Sequence, residues 1–146
     1  MQVFIIGSVF ETAQTLDKRR LHKQIIECQQ ILDALEGTGK GWFNHPIVKM
    51  YRGHEKWLRT YMWCLEEYHN ENSDVLMLMH YNNFCENNKP SFLTEDYFNQ
   101  MKRRLYTKDN EFYSQWKDLG ESEVNWYYVD NEWIYYKNGK KVDTKQ

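Results

Sequence analysis

The chain has no apolar run approaching the roughly 18 to 20 residues that a membrane-spanning helix needs. Its opening Met1-Gln2-Val3-Phe4-Ile5-Ile6 lacks both the basic start and the length of a secretory signal. A cytoplasmic protein with no membrane partner is expected. Cysteine is scarce: Cys28, Cys64 and Cys85 are odd in number and far apart, which offers neither a disulfide framework nor a paired zinc spacing. Buried thiols follow, and no metal or cofactor is expected. Positive charge is not in excess either, since 19 Lys and Arg stand against 21 Asp and Glu for a formal net charge of −2. A uniformly basic surface is excluded, so any polyanion would have to be met by local clusters. These occur at Lys18-Arg19-Arg20-Leu21-His22-Lys23, at Lys102-Arg103-Arg104 and from Lys137 to Lys145, while acids gather elsewhere, as at Glu66-Glu67.

What is present is an ordinary globular balance, 41% hydrophobic and 27% charged over 146 residues, which fits one domain spanning 1–146 and a monomer. The 16% aromatic share is high and predicts an aromatic-lined region. Met1 to Ile6 reads as a short extended segment packed on the body. Ser8-Val9-Phe10-Glu11 matches a capping box that opens a first helix, with a break near Asp17. Leu21, Ile25, Cys28, Leu32 and Leu35 then recur at spacings of four and three, the mark of one buried helix face. Arg20, Lys23, Gln24, Glu27 and Gln30 form the adjoining polar stripe. The helix ends in the loop Gly37-Thr38-Gly39-Lys40-Gly41.

Pro46 suits the first position of a second helix capped by His45 or Asn44, with an apolar face from Ile47 through Met50, Tyr51, His54, Leu58, Tyr61 and Leu65 to Tyr68. Two long antiparallel helices are the natural product. A shorter helix from Val75 to Phe84 and another from Thr94 to about Leu105 are separated by Pro90. Near the end, two aromatic runs flank Asp130-Asn131-Glu132, and Asn138-Gly139 marks a further turn, predicting a small aromatic β-hairpin or meander over 124–142. The fold class is mainly α: a compact helical domain with that small sheet appended.

The run Leu16-Asp17-Lys18-Arg19-Arg20-Leu21-His22-Lys23-Gln24-Ile25-Ile26-Glu27 resembles the catalytic helix of the pyrimidine-dimer DNA glycosylase family, the endonuclease V-like enzymes. Gly41-Trp42-Phe43-Asn44-His45-Pro46, Met50-Tyr51-Arg52-Gly53 and Trp57-Leu58 are similar to its second segment, and Cys64-Leu65-Glu66-Glu67-Tyr68 to the continuation. Lys89-Pro90-Ser91-Phe92, Lys102-Arg103-Arg104-Leu105 and Lys108-Asp109-Asn110-Glu111 are similar to a later block of small phage and bacterial members. The blocks follow in the family's order over most of residues 1–116.

The resemblance implies a glycosylase with associated abasic-site lyase activity that flips nucleotides out of double-stranded DNA and attacks the sugar with its N-terminal α-amine. Near pH 7 an unperturbed α-amine is free some 200-fold more often than a lysine amine, from their ordinary pKa values. Gln2 is bulky enough to predict retention of Met1, so the implied catalytic pair is Met1 and Glu27. The carboxylate would stabilise the cationic intermediate and move protons during elimination. The implied DNA contacts are Arg19, Arg20, His22, Lys23, Asn44, His45, Arg52, Lys102, Arg103 and Arg104, which position rather than specify.

Plainer readings stand beside these. Glu27 can pair with Lys23 one helical turn away, His45 can be a helix cap, and the basic runs can be solvated faces. Glu66-x-x-His69 has half of a di-iron ligand pattern with no second half. Lys23 is an alternative Schiff-base amine if buried. The alternative to an enzyme is a non-catalytic DNA- or protein-binding module on the same fold.

Overall fold

The computed structural model describes residues 1–38, 41 and 43–144. Gly39, Lys40 and Trp42 of the expected loop region, and Lys145 of the basic tail, lie outside the described residues. The expected first helix is α1 (Val9–Thr15), with the Ser8 hydroxyl accepting from the Glu11 N–H at 3.0 Å. Leu16 and Asp17 adopt extended backbone, and the Asp17 carboxylate caps α2 (Lys18–Leu35) by accepting from the Arg20 N–H at 3.3 Å.

The face carried by Leu21, Cys28 and Leu32 is buried as the periodicity predicts, and Ile31 and Ala34 widen it. One member of the predicted polar stripe departs: Gln24 is buried, 2% exposed. The N-terminal segment crosses α2 at that point and covers it.

The second long helix is divided. α3 (Pro46–Tyr51) and α4 (Glu55–His69) are separated by Arg52-Gly53-His54, with Gly53 at φ 89°. A left-handed backbone favours glycine and ends the first helix there. The apolar spacing carries across the break because both pieces bury one face in the same core, from Ile47 and Tyr51 to Leu58, Tyr61 and Leu65. α4 runs antiparallel to α2: Glu36, just past the end of α2, pairs with Arg59 early in α4, and His22 early in α2 packs on His69 at the end of α4. α5 (Val75–Asn87) packs on α4 and α1. α6 (Glu95–Lys108), capped by Thr94, is followed by a 3₁₀ helix over Ser114–Leu119.

Three antiparallel strands, β1 (Asn125–Val129), β2 (Glu132–Lys137) and β3 (Lys140–Val142), close the chain in the order β1-β2-β3. Both connections have two residues, Asp130-Asn131 at φ 54° and 63° and Asn138-Gly139 at φ 51° and 77°. That is the left-handed geometry of tight hairpin turns.

The segment Met1–Ile6 joins no ladder, yet Val3 and Ile5 are fully buried. Six of its backbone groups, which are costly to leave unpaired in a core, are met by side chains. The Tyr127, Tyr97 and Tyr61 hydroxyls donate to the carbonyls of Met1, Val3 and Phe4 at 2.6, 2.7 and 2.7 Å. Phe4 and Ile6 donate their N–H groups to Gln24 Oε1 at 2.6 Å and Thr12 Oγ1 at 3.1 Å. The Gln2 side-chain amide pairs with the Trp126 backbone through two 2.9 Å bonds.

Candidate active site

This strap delivers Met1 to a cavity of about 140 Å³. Met1, Gln2 and Phe4 form one wall, Arg20, Lys23, Gln24 and Glu27 of α2 a second, and Arg104 and Lys108 of α6 with Asn125 of β1 a third. The α2 contribution follows from helical geometry, because positions 20, 23, 24 and 27 are spaced to share one face.

Glu27 is the carboxylate in this wall. Its side chain is 15% exposed, against 69% for Lys23, whose ammonium stands 3.8 Å away. Burial pushes the Glu27 carboxyl up from the ordinary glutamate range, opposed by the charges of Lys23, the Met1 amine and Lys108. Burial lowers the Met1 amine below its ordinary value, the charges of Arg104, Lys108 and Lys23 act the same way, and Glu27 opposes them. Proximity therefore acts on both members: desolvation favours a free amine and a protonated carboxyl, and their mutual attraction resists both shifts.

The cations are held differently. Arg20 Nη1 lies 3.1 Å from Asp17 and 3.8 Å from Asp109, so its charge is partly answered within the fold. Arg104 donates from Nε to Asn125 Oδ1 at 3.1 Å and from Nη1 to the Ser122 carbonyl at 3.2 Å. Lys108 reaches over the Phe4 ring at 6.0 Å, and its ammonium is lowered by desolvation and by Arg104, Lys23 and Arg20. Four side-chain cations thus surround one carboxylate on a chain whose net charge is −2. The arrangement can attract a phosphodiester and hold it beside an amine and a carboxyl.

Of the residues singled out in the sequence, the fold gathers Met1, Arg20, Lys23, Glu27 and Arg104 into this cavity. His45 stands close by: its ring meets Tyr127 edge-on at 5.7 Å, its Nδ1 accepts from the Ile47 N–H, and burial with the nearby amine favours its neutral form. It serves α3 as the predicted cap. Arg19 and Asn44 are exposed. His22 turns its ring to His69, with centroids 5.6 Å apart. Arg52 lies over the Phe43 ring at 5.2 Å and borders a second, open cavity with Lys49, His54 and Ser91. Lys102 and Arg103 are half-buried on α6 and do not line the first cavity.

The model for the pyrimidine dimer DNA glycosylase family matches residues 1–82. The chain belongs to that family. It is accordingly an enzyme of the DNA glycosylase class with DNA as its substrate. No curated protein and no solved structure matches it. No helix among the described residues is long and apolar enough to cross a membrane. The match covers the strap and α2, and therefore Met1 and Glu27, but stops short of Arg104, Lys108, Asn125 and Tyr127. One wall of this glycosylase's cavity is thus built by sequence beyond the matched span.

Gln2, Gln24, Lys108, Asn125 and Tyr127 join these residues at the site without having been expected there as site residues. Lys108 had a signal, since it lies one helical turn from Arg104 and shares its face. Gln24 had one too, sharing a face with Glu27. Asn125 and Tyr127 had none, because only the tertiary fold brings the sheet to the N-terminus.

Proposed function

We propose that this protein is a glycosylase with associated abasic-site lyase activity on double-stranded DNA carrying damaged or modified bases, with the Met1 α-amine as nucleophile and Glu27 as the acid-base group. The supporting observation is the shared cavity, in which a desolvated amine and a half-buried carboxyl stand among four cations.

The flipped nucleotide presents its anomeric carbon to the amine. The amine lone pair forms a C1′–N bond as the glycosidic bond breaks and its electrons leave with the base. One of the amine's protons passes to O4′ as the C1′–O4′ bond breaks, so the ring opens to a protonated imine. Glu27, as carboxylate, removes a C2′ proton, and the electrons expel the 3′-phosphate by β-elimination. Arg20, Lys23, Arg104 and Lys108 hold the flanking phosphates and stabilise the one that leaves. Water releases the sugar fragment and regenerates the amine.

Borohydride reduction during incubation with abasic duplex is the decisive experiment. The expected product is a covalent adduct on the peptide that begins with Met1, in protein whose N-terminus has been verified as unblocked by mass analysis. An adduct on Lys23 or Lys108 would replace the α-amine as nucleophile, and no adduct on abasic or dimer-containing duplex would remove the lyase chemistry.

A pH prediction follows from the amine. Only its free base attacks, so the rate of imine formation rises with pH through a midpoint below the ordinary α-amine value. Lys108→Met removes a charge that lowers this amine, so its midpoint moves to higher pH and imine formation at pH 6.5 slows. Single-turnover trapping across pH reads both effects. An unchanged midpoint would show that Lys108 does not act on the amine.

A further inference from the structure

We propose that Gln24 is a positioning residue for the proposed reaction, one side-chain amide that fixes the N-terminal strap and orients the Glu27 carboxylate within the same cavity. The inference rests on the reading of Glu27 as the acid-base group.

Gln24 is 2% exposed on the stripe of α2 that periodicity assigns to solvent. A buried amide must find partners for an acceptor oxygen and two donor hydrogens. Here the partners dictate its orientation. The Phe4 N–H can only donate, and it points at one end of the amide from 2.6 Å, so that end is Oε1. The Tyr61 hydroxyl stands 3.5 Å from the same oxygen and gives its one hydrogen to the Phe4 carbonyl at 2.7 Å. Nε2 is then left with two hydrogens, and two acceptors stand at 3.4 Å: the Gln2 carbonyl and Glu27 Oε2.

The amide therefore touches the strap on both sides of Val3 and reaches the carboxylate with its remaining hydrogen. Lys23 meets the other carboxylate oxygen, Oε1, from the exposed side. The two oxygens of Glu27 are thus distinguished: one faces an exposed surface cation and the other a buried donor. No other amide side chain joins the strap to the carboxylate among the described residues. A registry error in the strap would displace the Glu27 partner, so the position of the amine and the orientation of the carboxylate are set together.

Gln24→Glu tests this with little change of shape. It replaces the donor facing Glu27 by an acceptor of like charge or by a competing acid. The Glu27 carboxyl carbon, followed by NMR, is expected to titrate at higher pH than in the unaltered protein. Strand scission at pH 6 is expected to fall roughly tenfold or more, with affinity for a non-cleavable abasic duplex retained. Tyr61→Phe is the control. It removes a hydrogen bond from the strap without touching Glu27, so it leaves that midpoint in place.

An unmoved midpoint in folded Gln24→Glu overturns the proposal, and so does an equal shift in Tyr61→Phe. Should Gln24→Glu not fold, the unaltered protein decides: the Gln24 side-chain amide resonances are expected to follow the Glu27 titration, and flat resonances overturn the proposal. These spectra do not depend on turnover. Coupled resonances in a protein that forms no borohydride adduct would leave the placement of Gln24 standing and remove the lyase reaction instead.

Discussion

Glu27→Gln is expected to lower strand scission on abasic duplex by about 10²- to 10⁴-fold, the usual worth of a positioned acid-base group, while leaving the affinity for that duplex within about twofold. Glutamine keeps the shape and can still meet Lys23 and Gln24 at the surface of the cavity, but it cannot take the C2′ proton. The substitution is also expected to stabilise the fold. Burial is the leading cause of the raised Glu27 carboxyl. A carboxyl whose folded pKa lies above its unfolded value binds its proton more tightly in the fold. Stability then falls as pH rises from the ordinary glutamate range through the folded value, and stays lower at neutral pH. Removing the ionisable group removes that loss, so Tm at neutral pH is expected to rise. Thermal unfolding at pH 7.5 and at pH 4 reads the sign: the gain should be present at the first and vanish towards the second. Full scission activity in the variant would take Glu27 out of the mechanism.

Placing one glycine ahead of Met1 is expected to lower imine formation by roughly 10²-fold or more, although it leaves a free α-amine on the chain. One added residue carries the amine about 3.5 Å along the strand, and reacting groups displaced by even 1 Å lose rates of order 10²-fold. The strap cannot slide to compensate. A shift of one residue would break the Tyr127 bond to Met1, the Tyr97 bond to Val3, the Tyr61 and Gln24 bonds to Phe4 and the paired Gln2–Trp126 contact together. Binding of a non-cleavable abasic duplex should be preserved, because the cations of α2 and α6 do not move. Borohydride trapping at the native rate in the extended protein would show that the amine at Met1 is not the nucleophile.

Both expectations depend on a site only partly legible in the sequence. The family resemblance implied Met1 and Glu27, the latter at the end of the ordered run from Leu16, and the capping signals at Ser8, His45 and Thr94 sit where helices begin. Periodicity placed Leu21, Cys28 and Leu32 on the buried face of α2 because that face obeys a local rule. The same rule misplaced Gln24, since burial there comes from a segment 20 to 22 residues away along the chain at Phe4 and Gln2. It also carried one helix across Gly53, because a shared core preserves the apolar spacing on both sides of the break while the left-handed backbone at Gly53 leaves no periodic signature.

The basic residues divide on the same ground. Arg20, Lys23 and Arg104 reach the cavity, whereas Arg19 and His22, their neighbours in sequence, turn elsewhere, because a helix sends adjacent side chains about 100° apart. By itself the sequence determined the helical class, the helix starts other than that of α4, and the family, and it pointed to the Met1 amine and the Glu27 carboxyl proposed as the catalytic pair. Only the tertiary structure decided that they meet. Residues 2, 24, 61, 97, 126 and 127 come from five separate stretches of chain, and their hydrogen bonds to an otherwise ladderless strap form only when all are packed around it. Buried backbone without a partner is costly, and that cost, applied to six residues at the start of the chain, is what holds the first amine in front of Glu27.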